Sequence, residues 1–128
     1  MATFKLSKRS LKALEGVHKD LVKVVKRAIE ITVIDFVVTE GLRTRERQAH
    51  LVKSGASKTM NSRHITGHAV DLVAWKAGTI SYNHKDMGVL SVAMKHAAKE
   101  LGVSIEWGGD WKSFVDTPHY ELNRKVYK

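Results

Sequence analysis

The stretch "HAVDLVAW", residues 68–75, constrains the fold more than any other part of the sequence. Its aliphatic, β-branched and aromatic residues predict a strand, yet Asp71 interrupts the apolar run. Successive side chains of a strand point to opposite faces, so Asp71 lies opposite the face that carries His68, Val70 and Leu72. A polar group inside a sheet costs free energy unless it has partners. Either Asp71 is a surface residue between apolar neighbours, or a site requires it.

The composition of the whole chain indicates one globular domain spanning residues 1–128. The chain is 43% apolar and has one proline and no low-complexity tract, and this length allows a substantial core. Cysteine is absent. This excludes disulfides, thiolate metal sites and cysteine nucleophiles.

Apolar periodicity predicts two main helices. The first covers about Ser10–Ile31, where Gly16 is a possible end of an earlier short helix, and the second covers about Lys85–Leu101 and stops at Gly102. A shorter helix is predicted over Thr44–Lys53, with Thr44 as N-cap and with Ala49 and Leu51 facing inward.

Four segments predict strands, and a fifth, "AGTISYN", predicts a turn or a short hairpin element. The strand segments are "TVIDFVVTEGLRT", "GHAVDLVAW", "VSIEW" and "HYELNRKVY". Because Pro118 cannot donate to a ladder, His119 is expected to begin the last strand. The predicted fold class is α+β, with a small, mainly antiparallel sheet packed against the two main helices.

Two histidines and two aspartates form a candidate metal site. His64 precedes the strand of Asp71, and His119 begins another strand three residues after Asp116. Two imidazoles and a carboxylate suit a zinc site with a free position for water, and a second carboxylate can take a proton from that water. His64, Asp71 and His119 are therefore candidate ligands and Asp116 a candidate base. The chain has seven histidines, so chance proximity of surface histidines is the alternative.

Three motifs resemble those of the LAS zinc metallopeptidases, which include VanY/VanX-type peptidases and phage L-alanyl-D-glutamate endopeptidases. They are "SRHITGHAVDL", "DTPHYEL" and "EGLRT". The resemblance implies a Hedgehog/DD-peptidase-like fold and Zn2+ on His64, Asp71 and His119. It also implies that Asp116 is general base and then acid, and that Arg43 hydrogen-bonds the scissile carbonyl. His68 would point away from zinc, and Trp107 and Trp111 would wall the cleft or pack in the core.

The implied function is that of a phage endolysin, a zinc-dependent peptidoglycan peptidase that cuts the L-alanyl-D-glutamate bond of the stem peptide. A D-alanyl-D-alanine carboxypeptidase is the alternative with the same chemistry. A non-catalytic basic module that binds cell wall is the alternative from another class.

The charge and the N-terminus set expectations for partners and location. The formal net charge is +9, which favours an anionic partner. We expect this partner to be bacterial peptidoglycan, because no nucleic-acid-binding motif is present. The N-terminus has no apolar signal core and no run could span a bilayer. We therefore expect a monomer without membrane insertion, made in the host cytoplasm and acting on the wall after release.

Overall fold

The computed structural model describes residues 3–57, 59–113 and 115–128. In these ranges the chain order is α1 (Lys8–Ala13), α2 (Lys19–Ile31), β1 (Asp35–Glu40), α3 (Arg45–Lys53), β2 (Ala69–Lys76), β3 (Thr79–Ser81), α4 (His84–Leu101), β4 (Ile105–Trp107), a short 3-10 turn (Gly108–Asp110) and β5 (His119–Leu122). The described residues contain no helix long and apolar enough to cross a membrane.

The sheet is antiparallel throughout and has β2 near its centre. The strand order is β1-β2-β5-β4, and β3 pairs with the far end of β2. The predicted α+β fold class is confirmed. The last strand is shorter than predicted, since β5 ends at Leu122 and residues 124–126 form a turn.

Helices α2 and α4 pack against each other and cover one face of the sheet. Leu21, Val24 and Val25 of α2 are buried in this core. The predicted long first helix is divided, because α1 ends before Gly16 and this glycine has a φ of +82°. A left-handed backbone of this kind suits glycine, which has no Cβ.

One inward position was predicted wrongly. In α3, Ala49 is exposed and Gln48 is buried instead, although Thr44 caps the helix as predicted, accepting from the Arg47 N–H at 3.1 Å. Leu101, at the end of α4, is 42% exposed. As predicted, α4 stops at Gly102, and this glycine has a left-handed conformation.

Candidate active site

Strand alternation in β2 separates the core from the site. Val70, Leu72 and Ala74 belong to the core cluster, and Asp71 lies on the opposite face with 21% of its side chain exposed. The register with β5 places Asp71 directly across from His119. On the other side, past an irregularity in β1, Glu40 is the partner of Asp71. Asp71 is therefore at the centre of a row of polar side chains from three strands.

His64 reaches the same point from the loop before β2. Its ring is 2% exposed, and Nδ1 lies 2.9 Å from the Gly41 carbonyl oxygen. A carbonyl oxygen only accepts, so Nδ1 carries the proton and donates. In the neutral ring Nε2 then presents its lone pair, and this atom lies 3.2 Å from Asp71 Oδ1.

His119 has the complementary arrangement. Its Nε2 donates to Glu121 Oε1 at 2.8 Å, and its Nδ1 faces Asp71 Oδ1 at 3.5 Å. The two imidazoles meet edge to face, with ring centroids 5.1 Å apart. Each ring thus has one nitrogen fixed by an outer acceptor and the other directed at Asp71.

The electrostatics of this group favour a bound positive charge. Burial alone would raise the pKa of Asp71, but the hydrogen bonds and positive charge that His119 and His64 supply when protonated outweigh it and hold this pKa well below its usual range. Burial would likewise lower the pKa of His119, but the carboxylates of Asp71 and Glu121 raise it to about 9. Three lone-pair-bearing atoms that converge in this way attract a cation, whether a proton or a metal ion.

The donor set fits a metal ion. One ligand atom each from His64, Asp71 and His119 lie within 4.8 Å of one another. In the ranges that the structure describes, no other group of three such residues has this geometry. Outer acceptors that fix the second nitrogen of each histidine are the usual support of ligating imidazoles.

Asp116 lies beside this group without belonging to it. It follows β4 and the 3-10 turn, where its backbone N–H donates to the Gly108 carbonyl at 3.0 Å. A Cβ added to Gly108 would collide with the Asp116 backbone, so this close approach requires glycine. Burial, and then the negative charge of Asp71, raise the pKa of Asp116. A carboxyl group with a raised pKa is suited to accept and return a proton.

Arg43 lines the site, and several partners fix its side chain. Its side chain is 8% exposed and makes two bonds of 2.7 Å to the Glu40 carboxylate. A third bond of 2.7 Å joins Nη1 to Gln48 Oε1, and Nη2 lies 3.7 Å from Asp71 Oδ2. The Gln48 amide in turn donates to Ser57 Oγ and to the Thr59 carbonyl. The guanidinium is therefore held rigidly beside the group formed by His64, Asp71 and His119.

An open cleft of about 360 Å³ contains all five predicted site residues: Arg43, His64, Asp71, Asp116 and His119. Trp111 lies on its wall, with its ring centroid 5.1 Å from that of His119. Trp107 instead packs against the core and stacks on Tyr120. His68 lies outside the cleft, as predicted, next to Thr66 and His18.

Four polar groups of the site were not predicted from the sequence: Glu40, the Gly41 carbonyl, Gln48 and Glu121. A signal existed for Glu121, because it is two residues after His119 and shares its face of β5. Glu40 and Gly41 depend on the register of β1 against β2, which the sequence does not specify. In the loop before β2, Ser62 Oγ accepts from the His64 N–H at 3.2 Å.

Several known proteins share much of this sequence. The L-alanyl-D-glutamate peptidase of Escherichia phage T5 is 35% identical over 129 residues, covering 98% of this chain and 93% of the relative. The L-alanyl-D-glutamate peptidase of Listeria phage A118 is 43% identical over 96 residues. This match covers 73% of this chain but only 32% of the relative. The peptidoglycan L-alanyl-D-glutamate endopeptidase CwlK of Bacillus subtilis is 34% identical over 124 residues, covering 85% of this chain and 73% of CwlK.

Solved structures confirm the predicted fold. The Serratia marcescens L-Ala D-Glu endopeptidase ChiX superposes with a TM-score of 0.92 at 43% identity, covering 98% of this chain and 94% of ChiX. The D,D-dipeptidase VanXYg matches at a TM-score of 0.54 and 19% identity, over 83% of this chain and 50% of VanXYg, which supports the fold alone. The model of the family described as phage L-alanyl-D-glutamate peptidase matches residues 1–128. The chain therefore belongs to the phage L-alanyl-D-glutamate peptidase family.

Proposed function

We propose that this chain is a zinc-dependent peptidoglycan endopeptidase that hydrolyses the L-alanyl-D-glutamate bond of the stem peptide. The observation that carries the proposal is the convergence of His64 Nε2, His119 Nδ1 and an Asp71 carboxylate oxygen. Both histidines have their second nitrogen occupied by an acceptor, Gly41 O or Glu121. The three facing atoms are thus available as ligands once His119 Nδ1 gives up its proton, since metal binding displaces protons from its ligands.

Zinc held by these three side chains supplies a Lewis acid for the peptide carbonyl and makes water more acidic. Asp116 takes the proton of the attacking water and then delivers it to the leaving D-glutamyl nitrogen, so that one carboxyl group acts first as base and then as acid. Burial and the charge of Asp71, which raise the pKa of Asp116, favour this return of the proton.

Arg43 is assigned to the oxygen of the scissile carbonyl. Its guanidinium has five N–H groups, three of which are engaged by Glu40 and Gln48. The remaining donors are on a side chain that does not have to reorganise when negative charge develops on the substrate. Such fixed donors contribute about a hundredfold or more in rate.

The setting proposed for this activity is a phage endolysin of one domain, acting as a monomer. It is made in the host cytoplasm and meets peptidoglycan after release. The net charge of +9 supports attraction to an anionic wall. The phage T5 relative and ChiX, which are both named for cleavage at L-alanyl-D-glutamate, support the same bond.

The test is a digest of purified peptidoglycan with the zinc-loaded protein, analysed by mass spectrometry. We expect new amino-terminal D-glutamate. Released D-alanine without new D-glutamate termini would identify the D-alanyl-D-alanine carboxypeptidase alternative. Intact wall after incubation would identify a binding module.

A further inference from the structure

Three guanidinium groups line the cleft, and they differ in how far the protein already uses them. They belong to Arg43, Arg63 and Arg124. Arg43 is buried and bonded to Glu40 and Gln48. Its hydrogen-bonding capacity is mostly taken up inside the protein.

Arg63 is also committed to the fold. Its side chain is 10% exposed, and Nη2 donates to the carbonyls of Leu122 and Tyr127 at 3.2 and 2.6 Å. Among the described residues its buried Nε has no hydrogen-bond partner, although Glu121 Oε2 lies 4.0 Å away. Arg63 therefore contributes a fixed positive charge that is not fully paired.

Arg124 is the available cation of the cleft. Its side chain is 57% exposed, and Nε donates to Glu121 Oε2 at 3.0 Å. Within residues 3–57, 59–113 and 115–128, its two terminal nitrogens have no hydrogen-bond partner. Glu121 thus binds Nε of the guanidinium and leaves the terminal N–H groups free for a ligand.

The charges around Glu121 favour an anion at this end of the cleft. Both Arg63 and Arg124 approach Oε2 of Glu121, while Oε1 accepts from His119. One carboxylate in the cleft therefore faces two guanidinium groups. Glu106, across from Glu121 on β4, also attracts Arg63, but it does not line the cleft.

The substrate carries a matching group. Glutamate has two carboxyl groups, and when one continues the peptide chain the other is a free anion. This anion lies only a few bonds from the nitrogen of the L-alanyl-D-glutamate bond. A guanidinium binds such a carboxylate through charge-assisted hydrogen bonds, which can be bidentate.

We propose that Arg124, held by Glu121 beside His119, binds the free carboxylate of the D-glutamyl residue and makes it a specificity determinant of the cleft. This inference rests on the proposed function. Conversion of that carboxylate to a carboxamide removes the charge without changing the scissile bond, and so isolates the interaction.

The experiment compares two N-acylated L-alanyl-D-glutamyl peptides with amidated C-termini, one with the free D-glutamyl carboxylate and one with its carboxamide. Each is cleaved by the zinc-loaded wild type, Arg124→Ala, Arg124→Lys and Lys125→Ala. Lys125 is exposed and does not line the cleft, so Lys125→Ala controls for net charge. Zinc content and thermal unfolding of each variant check the metal site and the fold.

We expect Arg124→Ala to lower kcat/KM about tenfold or more on the carboxylate peptide, mainly through KM, and less than about threefold on the carboxamide. Arg124→Lys should recover part of the loss, and Lys125→Ala should behave as wild type. An equal loss on both peptides, or no loss, would overturn the inference alone. If the wild type cleaves neither peptide, the proposed function fails and the inference fails with it.

Discussion

Glu121 accepts the Nε2–H of His119 at 2.8 Å, and this bond turns His119 Nδ1 toward Asp71. A carboxylate that fixes the tautomer of a ligating histidine typically contributes a factor of ten to a hundred in metal affinity. We therefore expect Glu121→Ala to weaken zinc binding by about that factor. Competition with a fluorescent chelator measures it. Glu106→Ala, which removes a carboxylate across the sheet from Glu121, is the control and should bind zinc like the wild type.

Asp71 and Asp116 are expected to respond differently to the same substitution. Asp71→Asn removes a ligand charge and should lower zinc content. Asp116→Asn should keep its zinc and lose about a hundredfold or more in hydrolysis, as is typical for a general acid–base group. Zinc analysis and wall-lysis rates on both variants separate the two roles. Loss of metal from Asp116→Asn would contradict its assignment as a base.

Arg43→Ala should have two effects. The site would lose a fixed donor, with turnover falling about a hundredfold, and the half-buried Glu40 would lose its bidentate partner. An unsatisfied group of this kind costs about 1–3 kcal/mol in free energy of unfolding. Arg47→Ala is the matched control, because Arg47 also approaches Glu40, at 3.5 Å, but its side chain is 59% exposed. Denaturant unfolding and peptide kinetics on both variants test this; unchanged turnover in Arg43→Ala would refute the proposed role.

Gly108→Ala should displace Asp116 without touching the ligands. The added methyl would collide with the Asp116 backbone, and a displacement of about 1 Å can cost a hundredfold in rate. We expect retained zinc and strongly reduced hydrolysis. In Gly88→Ala the methyl meets nothing within 4 Å, so this variant should be fully active. Equal activity of the two variants would show that Asp116 tolerates the shift.

The strands that carry the candidate ligands Asp71 and His119 could be predicted from sequence because strand alternation is a local rule. Asp71 interrupts an apolar strand, and Pro118 defines where the strand of His119 begins. These two facts place both side chains at strand positions before any pairing is known. Their meeting then depends on one register, in which Asp71 lies opposite His119.

The hydrogen bonds that hold His64 and Arg43 in place could not be predicted, because their partners are distant in the sequence or on another element. His64 donates to the Gly41 carbonyl, a contact between a loop and the end of β1 that no side-chain pattern reports. Gln48 occupies an inward position that a polar residue rarely takes, and its burial is compensated by Arg43. Most polar residues of a protein are exposed, so a polar residue that is buried with hydrogen-bond partners is assigned to the surface when only the sequence is known.

The most direct test of the account is the zinc dependence of D-glutamate release from purified peptidoglycan. The protein is stripped with a chelator and titrated with zinc while new amino-terminal D-glutamate is counted. The account predicts no release by the stripped protein and full recovery at one zinc per chain. Undiminished release by metal-free protein, or recovery without new D-glutamate termini, would contradict it.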